Sequence, residues 1–139
     1  MTALVLDASI TLCWCFEEEA TQATDLLLER LFRESAAVPM FWNLEVANVL
    51  ALAERRRRIT RADATEFISL LETLMIDLDE ETPLRAFGRV LDLARSERLT
   101  AYDAAYLELA MRLGVPLATK DPALAAAATR LGVPAIGAD

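Results

Sequence analysis

Four acidic residues stand where an α/β fold would bring carboxylates together. Asp7 and Asp121 each follow a short apolar run that predicts a strand, and Glu45 and Asp103 lie in the first turns of two predicted helices. In a parallel sheet the carboxyl ends of the strands share one edge, and the helices that return across the sheet begin there. We therefore expect the four carboxylates to meet in one cleft, at the edge where α/β domains bind ligands.

Such a cleft is suited to metal-dependent chemistry on phosphate esters. Carboxylates a few ångströms apart raise one another's pKa, and a hard divalent cation relieves their repulsion. Ligands that are all oxygen favour Mg²⁺ or Mn²⁺. An ion of this kind binds phosphate oxygens and activates a water for in-line attack on phosphorus. Lys120, the only lysine, stands beside Asp121 and is a candidate phosphate contact.

The stretch over residues 99–121 predicts how two of the acids are positioned. Thr100 and Asp103 have the spacing of a capping box, Gly114 ends the helix, and residues 115–119 form a strand. On a helical wheel, Tyr106 lies within about 60° of Asp103, on the apolar face. The pair Glu108 and Arg112 lies about 140° and 180° away, where we expect it to face water.

Hydrophobic periodicity predicts the remaining elements. Further strands are predicted over residues 3–6, 36–41, 75–78 and 133–136, and helices over 9–16, 21–34, 42–58, 60–71, 83–98 and from Asp121-Pro122 to Gly132. Pro39 favours an imperfect or outer strand and Asp77 an edge strand. Alternation of helices with short apolar strands predicts an α/β three-layer sandwich with a central parallel sheet of four to five short strands.

The helix over 42–58 carries an unusual polar pair. It is apolar nearly all round between Leu44 and Ala53, except for Glu45 and Asn48, which share a face. Buried polar groups need partners, so that we expect a metal or a polar network beside them. The run Arg55 to Arg58 at the other end of the helix fits a solvated cap that complements the helix dipole, or a phosphate contact.

The composition excludes several catalytic classes. The chain has no histidine, which removes Ser-His-Asp and Cys-His triads and most zinc enzymes. Cys13 and Cys15 lack the further ligands of a metal site, and we expect free thiols. A net charge of −8 argues against broad electrostatic binding of nucleic acid, so that such a substrate would be held locally.

Length and hydropathy set the expected class of protein. With 139 residues and 55% hydrophobic content, we expect one domain over residues 1–139. The first residues lack a basic segment, and no apolar run approaches the length of a membrane span. We therefore expect a cytoplasmic protein with no membrane association.

Four segments resemble, in order, the motifs of PIN-domain ribonucleases of the VapC toxin type. They are L-D-A-S at residues 6–9, L-E-V-A-N at 44–48, L-T-A-Y-D-A-A-Y at 99–106 and L-A-T-K-D at 117–121. The resemblance implies a Rossmann-like sandwich, Mg²⁺-dependent cleavage of RNA, a homodimer and a cognate antitoxin that blocks the site. Position by position, it implies the acidic residues Asp7, Glu45, Asp103 and Asp121, with Ser9, Asn48 and Thr119 as polar supports.

Other functions use acids and Mg²⁺ at the same edge of a sheet. A haloacid-dehalogenase-type phosphatase would have a second aspartate two residues after Asp7, where this chain has Ser9. A receiver domain would have paired acids at the first strand, which this pattern does not match. A catalytically silent binding module with the same fold is the third alternative, and an intact acidic set speaks against it.

Four large aromatic residues lie near the predicted strand ends. They are Trp14, Phe16, Phe41 and Trp42. Such residues usually belong to the core, but if they were exposed together they would form an apolar patch that could receive an antitoxin helix.

Overall fold

Five short strands form one parallel sheet. The structure, a computed structural model, describes residues 1–137, so that the last two residues of the predicted domain lie outside the described part. The strands are β1 (Thr2–Leu6), β2 (Ser35–Pro39), β3 (Ile76–Asp79), β4 (Leu117–Ala118) and β5 (Ala135–Ile136). Their order in the sheet is β3-β2-β1-β4-β5, and every neighbouring pair is parallel.

Helices connect these strands and flank the sheet. They are α1 (Ala8–Cys13), α2 (Gln22–Leu31), α3 (Trp42–Arg55), α4 (Arg61–Glu72), α5 (Thr82–Arg85), α6 (Leu91–Glu97), α7 (Ala101–Leu113) and α8 (Pro122–Arg130). A 3-10 turn covers Glu17–Glu19, and a π-helical segment, Ala86–Val90, joins α5 to α6. The predicted α/β class with a central parallel sheet is confirmed. None of the helices over residues 1–137 combines the length and hydropathy that crossing a membrane requires.

The strand order places a topological switch at the centre of the sheet. From β1 the chain adds β2 and β3 on one side, and it then returns to add β4 and β5 on the other. The carboxyl ends of β1 and β4 are therefore neighbours from which the connections diverge, and such a point forms a crevice. Asp7 directly follows β1, and Asp121 lies three residues after β4, immediately before α8.

Several predicted elements differ in detail from the structure. The predicted outer position of strand 36–41 is wrong, because β2 lies between β3 and β1. Proline has no backbone N–H to donate to a neighbouring strand. Pro39 is tolerated because it is the last residue of β2, where few hydrogen bonds between strands remain to be made. The predicted edge position of strand 75–78 is confirmed by β3. The predicted helix over 83–98 is divided by the π-helical segment, and the helix over 9–16 ends early, at Cys13.

The repeated segment R-L-G-V-P ends two helices in the same way. Gly114 and Gly132 adopt left-handed conformations with φ of 67° and 78°, and each precedes a strand of the sheet. A side chain would be strained at these positions, so that glycine stops each helix and redirects the chain.

Helix α7 is buried on nearly every side. Residues 104–110 are all buried, and the helix packs against β1, β2, β4, α6, α8 and the π-helical segment. The prediction that Glu108 and Arg112 face water is therefore wrong. Glu108 and Arg112 do pair, at 2.9 Å, but Glu108 is only 2% exposed, and Arg112 also reaches Asp79 at 2.7 Å. The segment after β3 covers this side of the helix, which a helical wheel of α7 alone does not reveal.

The ion cluster around Arg112 gives a prediction for stability. We expect Arg112→Met to lower the free energy of unfolding by about 3–5 kcal/mol, because two largely buried carboxylates lose their cation. Arg30→Met is the matched control, since Arg30 and Glu34 form an ion pair in which both side chains are exposed, and its loss is expected to cost about 1 kcal/mol or less. Urea denaturation of both variants measures the difference, and equal losses would contradict a structural role for the cluster.

The same cluster predicts a pH dependence. Hydrogen bonds from Arg112 lower the pKa of Asp79. Its contribution to stability is therefore present above the ordinary carboxyl pKa and is lost as the pH falls through the lowered value.

Candidate active site

Asp7 is the buried centre of the acidic edge. Asp7 is only 6% exposed, and the hydroxyls of Ser9 and Thr119 both donate to its Oδ2 atom, each at 2.7 Å. Burial raises the pKa of Asp7, and the two hydroxyl donors partly offset that rise. These donors stabilise the ionised form of a carboxylate that would otherwise be costly to bury.

Ser9 and Thr119 also link two strand ends. The backbone N–H of Lys120 donates to Ser9 Oγ at 2.9 Å, and the N–H of Asp121 donates to Thr119 Oγ1 at 3.0 Å. The connection after β4 is thereby tied to the beginning of α1. The two hydroxyl residues that sequence reasoning selected as supports both lie directly at Asp7.

Asp121 caps the last helix. Its Oδ1 atom accepts from the backbone N–H groups of Ala123 at 2.9 Å and Leu124 at 3.3 Å. This fixes the side chain at the helix start, where a carboxylate also complements the helix dipole. The predicted beginning of this helix at Asp121-Pro122 is confirmed.

Glu45 is held by a tyrosine from α7. The Tyr106 hydroxyl donates to Glu45 Oε1 at 2.5 Å, across 61 positions in sequence. Tyr106 is fully buried, and burial, with the neighbouring carboxylates, raises the pKa of its hydroxyl above the ordinary range. Tyr106 therefore remains a hydrogen-bond donor that orients Glu45.

Asp103 is the acid with the least support from hydrogen bonds. Its backbone N–H donates to Thr100 Oγ1 at 3.1 Å, but the return bond that would complete the predicted capping box is not formed. Burial, together with the charges of Asp7 and Asp121, raises the pKa of Asp103 to about 6, and only a hydrogen bond with the Thr100 side chain opposes this rise. The half-buried carboxylate thus lies within the field of two other acids.

The electrostatics show that the structure brings the four acids together. Burial raises the pKa of Glu45, and Asp7 and Asp103 raise it further. Asp121 in turn adds to the raised pKa of Asp7. Mutual effects of this kind require short separations, because screening by solvent weakens distant pairs.

The donor set fits a hard divalent cation. In Asp7, Glu45 and Asp121, one carboxylate oxygen is engaged by the bonds described above, and the second receives no hydrogen bond from any other side chain of residues 1–137. Each acid therefore offers one oxygen to an ion of the Mg²⁺ or Mn²⁺ type. As they stand, however, no three cysteine or acidic side chains in the described part are arranged to enclose an ion.

Other sequence-selected residues lie in different places. Asn48 is exposed on α3, so that its expected burial beside Glu45 is wrong. The backbone N–H of Lys120 donates to Ser9 and so belongs to the hydrogen-bond network around Asp7. The charge of the Lys120 side chain opposes the rise that burial causes in the pKa of the Cys13 thiol. Cys13 and Cys15 are both free thiols, as predicted, although Cys15 is only half-buried.

Members of the arginine run and of the aromatic set line clefts that contain none of the four acids. Arg58, Trp14 and Phe16 line one of them, and Trp42 lines another. Arg58 pairs with Glu18 and Glu19, and its guanidinium lies 3.7 Å from the centre of the Phe16 ring. The expected patch of four aromatic side chains is absent from the described structure. Phe16 and Trp42 are buried, and Trp14 and Phe41 are half-buried against the core.

Tyr106 is the site residue that sequence reasoning did not single out. Its position on the apolar face, three residues after Asp103, indicated a core side chain. A hydroxyl group on that apolar face needs a hydrogen-bond partner, and this requirement is the feature of the sequence that could have identified Tyr106. Only the fold, which brings Tyr106 within hydrogen-bond distance of the start of α3, identifies Glu45 as that partner.

The raised pKa of Asp103 gives a prediction for the metal-free protein. Ionisation of Asp103 opposes folding, so that the free energy of unfolding should fall as the pH rises from about 4 to 6. Asp103→Asn removes this loss, and we expect it to stabilise the protein in EDTA at pH 7 by roughly 1–2 kcal/mol, a value reduced for the exposed half of the side chain.

Asp25→Asn is the control for this prediction. Asp25 is an exposed aspartate in the first turn of α2, so that its replacement removes only a favourable dipole interaction of up to about 1 kcal/mol. Denaturation of both variants between pH 4 and 8 gives the comparison. A loss of several kcal/mol in Asp103→Asn would identify Asp103 as a structural residue.

Comparison with known proteins assigns the family. Among curated proteins, none matches the chain at a significant level. A solved structure, PAE2754 from Pyrobaculum aerophilum, is 24% identical and superposes with a TM-score of 0.70 over 96% of this chain and 83% of that one. At this identity the match supports the fold alone. The PIN domain family profile matches residues 4–130, and the chain therefore belongs to the PIN domain family.

Proposed function

We propose that the chain is a Mg²⁺- or Mn²⁺-dependent endoribonuclease and the toxin of a toxin–antitoxin pair. PIN domains are generally nucleases and typically use divalent metal ions. The observation that carries the proposal is the approach of four carboxylates from separate elements, three of which have a raised pKa. Such an excess of negative charge is unfavourable in the free protein and becomes favourable around a cation.

The four acids Asp7, Glu45, Asp103 and Asp121 would hold the cation. When bound, it supplies positive charge that binds phosphate oxygens and activates the attacking water. Hydrogen bonds from Ser9 and Thr119 favour the ionised form of Asp7 and fix its orientation, and the bond from Tyr106 does the same for Glu45. The helix cap holds Asp121 in one conformation. Together these bonds preorganise the acids, which is the main contribution a protein makes to such a site.

The choice of RNA over other phosphodiesters rests on the resemblance of the four motifs to VapC-type ribonucleases. The family match also favours a nuclease over the phosphatase and receiver alternatives. A silent binding module would have no use for the negative charge that the four acids accumulate at one edge. We infer that these acids are kept in place for catalysis.

We extend the proposal to a homodimer and an antitoxin that blocks the cleft. Both rest on the same resemblance. Large apolar side chains at the surface are consistent with protein partners. Leu84 and Phe87, on adjoining helical segments, are 83% and 94% exposed, whereas the aromatic residues first considered for this role lie in or against the core.

The metal requirement is tested by incubating purified protein with cellular RNA. We expect cleavage with Mg²⁺ or Mn²⁺ and none in EDTA. Asp103→Asn should reduce the rate by roughly 100-fold or more, since loss of a metal ligand is expected to exceed the 10- to 100-fold cost typical of outer-shell residues. Asp25→Asn should cleave at the rate of the unchanged protein.

Three outcomes would contradict parts of this proposal. Full activity in EDTA would refute the metal requirement. Cleavage of DNA but not RNA would refute the substrate. Absence of cleavage under every condition, by a protein that still melts cooperatively, would favour the silent binding module.

The negative net charge predicts a weak salt dependence of RNA binding. If the cleft contacts two or three phosphates of a single strand, the slope of log affinity against log salt should be about −1.4 to −2. Lys120→Ala should reduce the slope by about 0.7 if Lys120 is one of these contacts. Titration of labelled RNA into Asp103→Asn across a KCl series measures the slope. A much steeper slope would place the contact on an arginine surface such as Arg55–Arg58.

A further inference from the structure

An exposed aromatic ring lies beside the acidic edge. Tyr102 is 62% exposed and directly precedes Asp103 in the first turn of α7. Adjacent Cα atoms are about 3.8 Å apart, so that the ring originates within one residue of a carboxylate in the cleft. An exposed ring at this position is not explained by the core or by the helix cap.

The ring is held on one side. The centre of the Phe41 ring lies 5.3 Å from that of Tyr102, in an edge-to-face arrangement at 62°. Phe41 also contacts Tyr106 at 5.5 Å, and Tyr106 bonds to Glu45. The three rings therefore connect Tyr102 to the acidic edge. Aromatic pairs of this geometry are favourable and restrict the motion of the exposed ring.

A held and exposed ring is suited to stacking on a base. Every nucleobase presents a flat π surface, and stacking on aromatic side chains provides affinity that does not depend on charge. This contribution matters in a chain with net charge −8 and one lysine, which gains little from bulk electrostatics. Bases inside a duplex are already stacked, so that a ring of this kind selects single strands.

We propose that Tyr102 stacks on a nucleobase of a single-stranded RNA segment next to the phosphodiester that is cleaved, with Phe41 as the residue that positions the ring. This inference rests on the proposed ribonuclease function. It adds a substrate-binding residue outside the acidic set, and it specifies how a base of the unpaired strand is held.

The test measures how short single-stranded RNA binds to Asp103→Asn, with further changes at Tyr102. Fluorescence anisotropy gives the affinities. We expect Tyr102→Ala and Tyr102→Leu to weaken binding about 5- to 100-fold, the range of one base stacked on an aromatic ring. Tyr102→Phe and Tyr102→Trp should retain affinity. Phe32→Ala is the control, because Phe32 is similarly exposed, at 52%, but lies before β2 at the opposite edge of the sheet.

Oligonucleotides with one abasic position identify the stacked base. At that position, Tyr102→Ala should cause no further loss of affinity, because the stacking partner is already absent. At other positions the loss should remain. A duplex of the same sequence should bind more weakly than the single strand, and Tyr102→Ala should not change its affinity.

The outcomes separate this inference from the proposed function. If the unchanged protein cleaves RNA while Tyr102→Ala binds and cleaves normally, the stacking role is wrong and the ribonuclease function stands. A leucine that restores affinity as well as phenylalanine would also overturn stacking, since it would show only an apolar contact. If the unchanged protein neither binds nor cleaves RNA, the function itself fails. A thermal melt of each variant confirms that it is folded.

Discussion

The acidic edge depends on one buried carboxylate. Asp7 is nearly inaccessible to water, and an unpaired charge in such a place would destabilise the fold by several kcal/mol. Hydroxyls from two chain segments, Ser9 after β1 and Thr119 after β4, make its burial possible. Because the same hydroxyls accept backbone N–H groups of residues 120 and 121, the solvation of one charge also joins the two strand ends at the topological switch. The position of Asp121 follows from this junction.

Helix α7 imposes the second constraint, since it supplies one acid and orients another. Its burial on nearly every side means that its rotation and depth are fixed by packing and not by its own sequence pattern. Arg112 near the end of the helix is fixed by Asp79 and Glu108, and Tyr106 near its middle by Glu45. The helix is thus bound at two points by polar contacts inside an apolar environment. Such contacts make a displaced or rotated helix costly, because each would leave a buried group without its partner.

Much of the fold could be predicted from the sequence, because the direction of the chain determines which ends of the strands and helices lie at the same edge of the sheet. Once helices alternate with short apolar strands, acids that follow strands and acids that begin helices must share an edge, whatever the exact boundaries. The failures have a different cause. Asn48 is exposed and Glu108 is buried, which reverses the expectation for both. A helical wheel gives the relative directions of side chains around one helix, but it does not show which neighbouring elements cover each side. In α7, the segment after β3 covers the side that carries Glu108 and Arg112.

The four acids differ in the hydrogen bonds that they receive, and these differences indicate how the edge of the sheet tolerates their negative charge. Asp7, Glu45 and Asp121 each have one oxygen engaged by donors from the protein, which offsets part of the cost of ionisation. Asp103 lacks comparable donors and has a pKa of about 6. Burial and repulsion therefore act on Asp103 with the fewest hydrogen bonds to offset them. Three acids form a fixed frame, and the fourth carries the electrostatic strain that a cation would relieve.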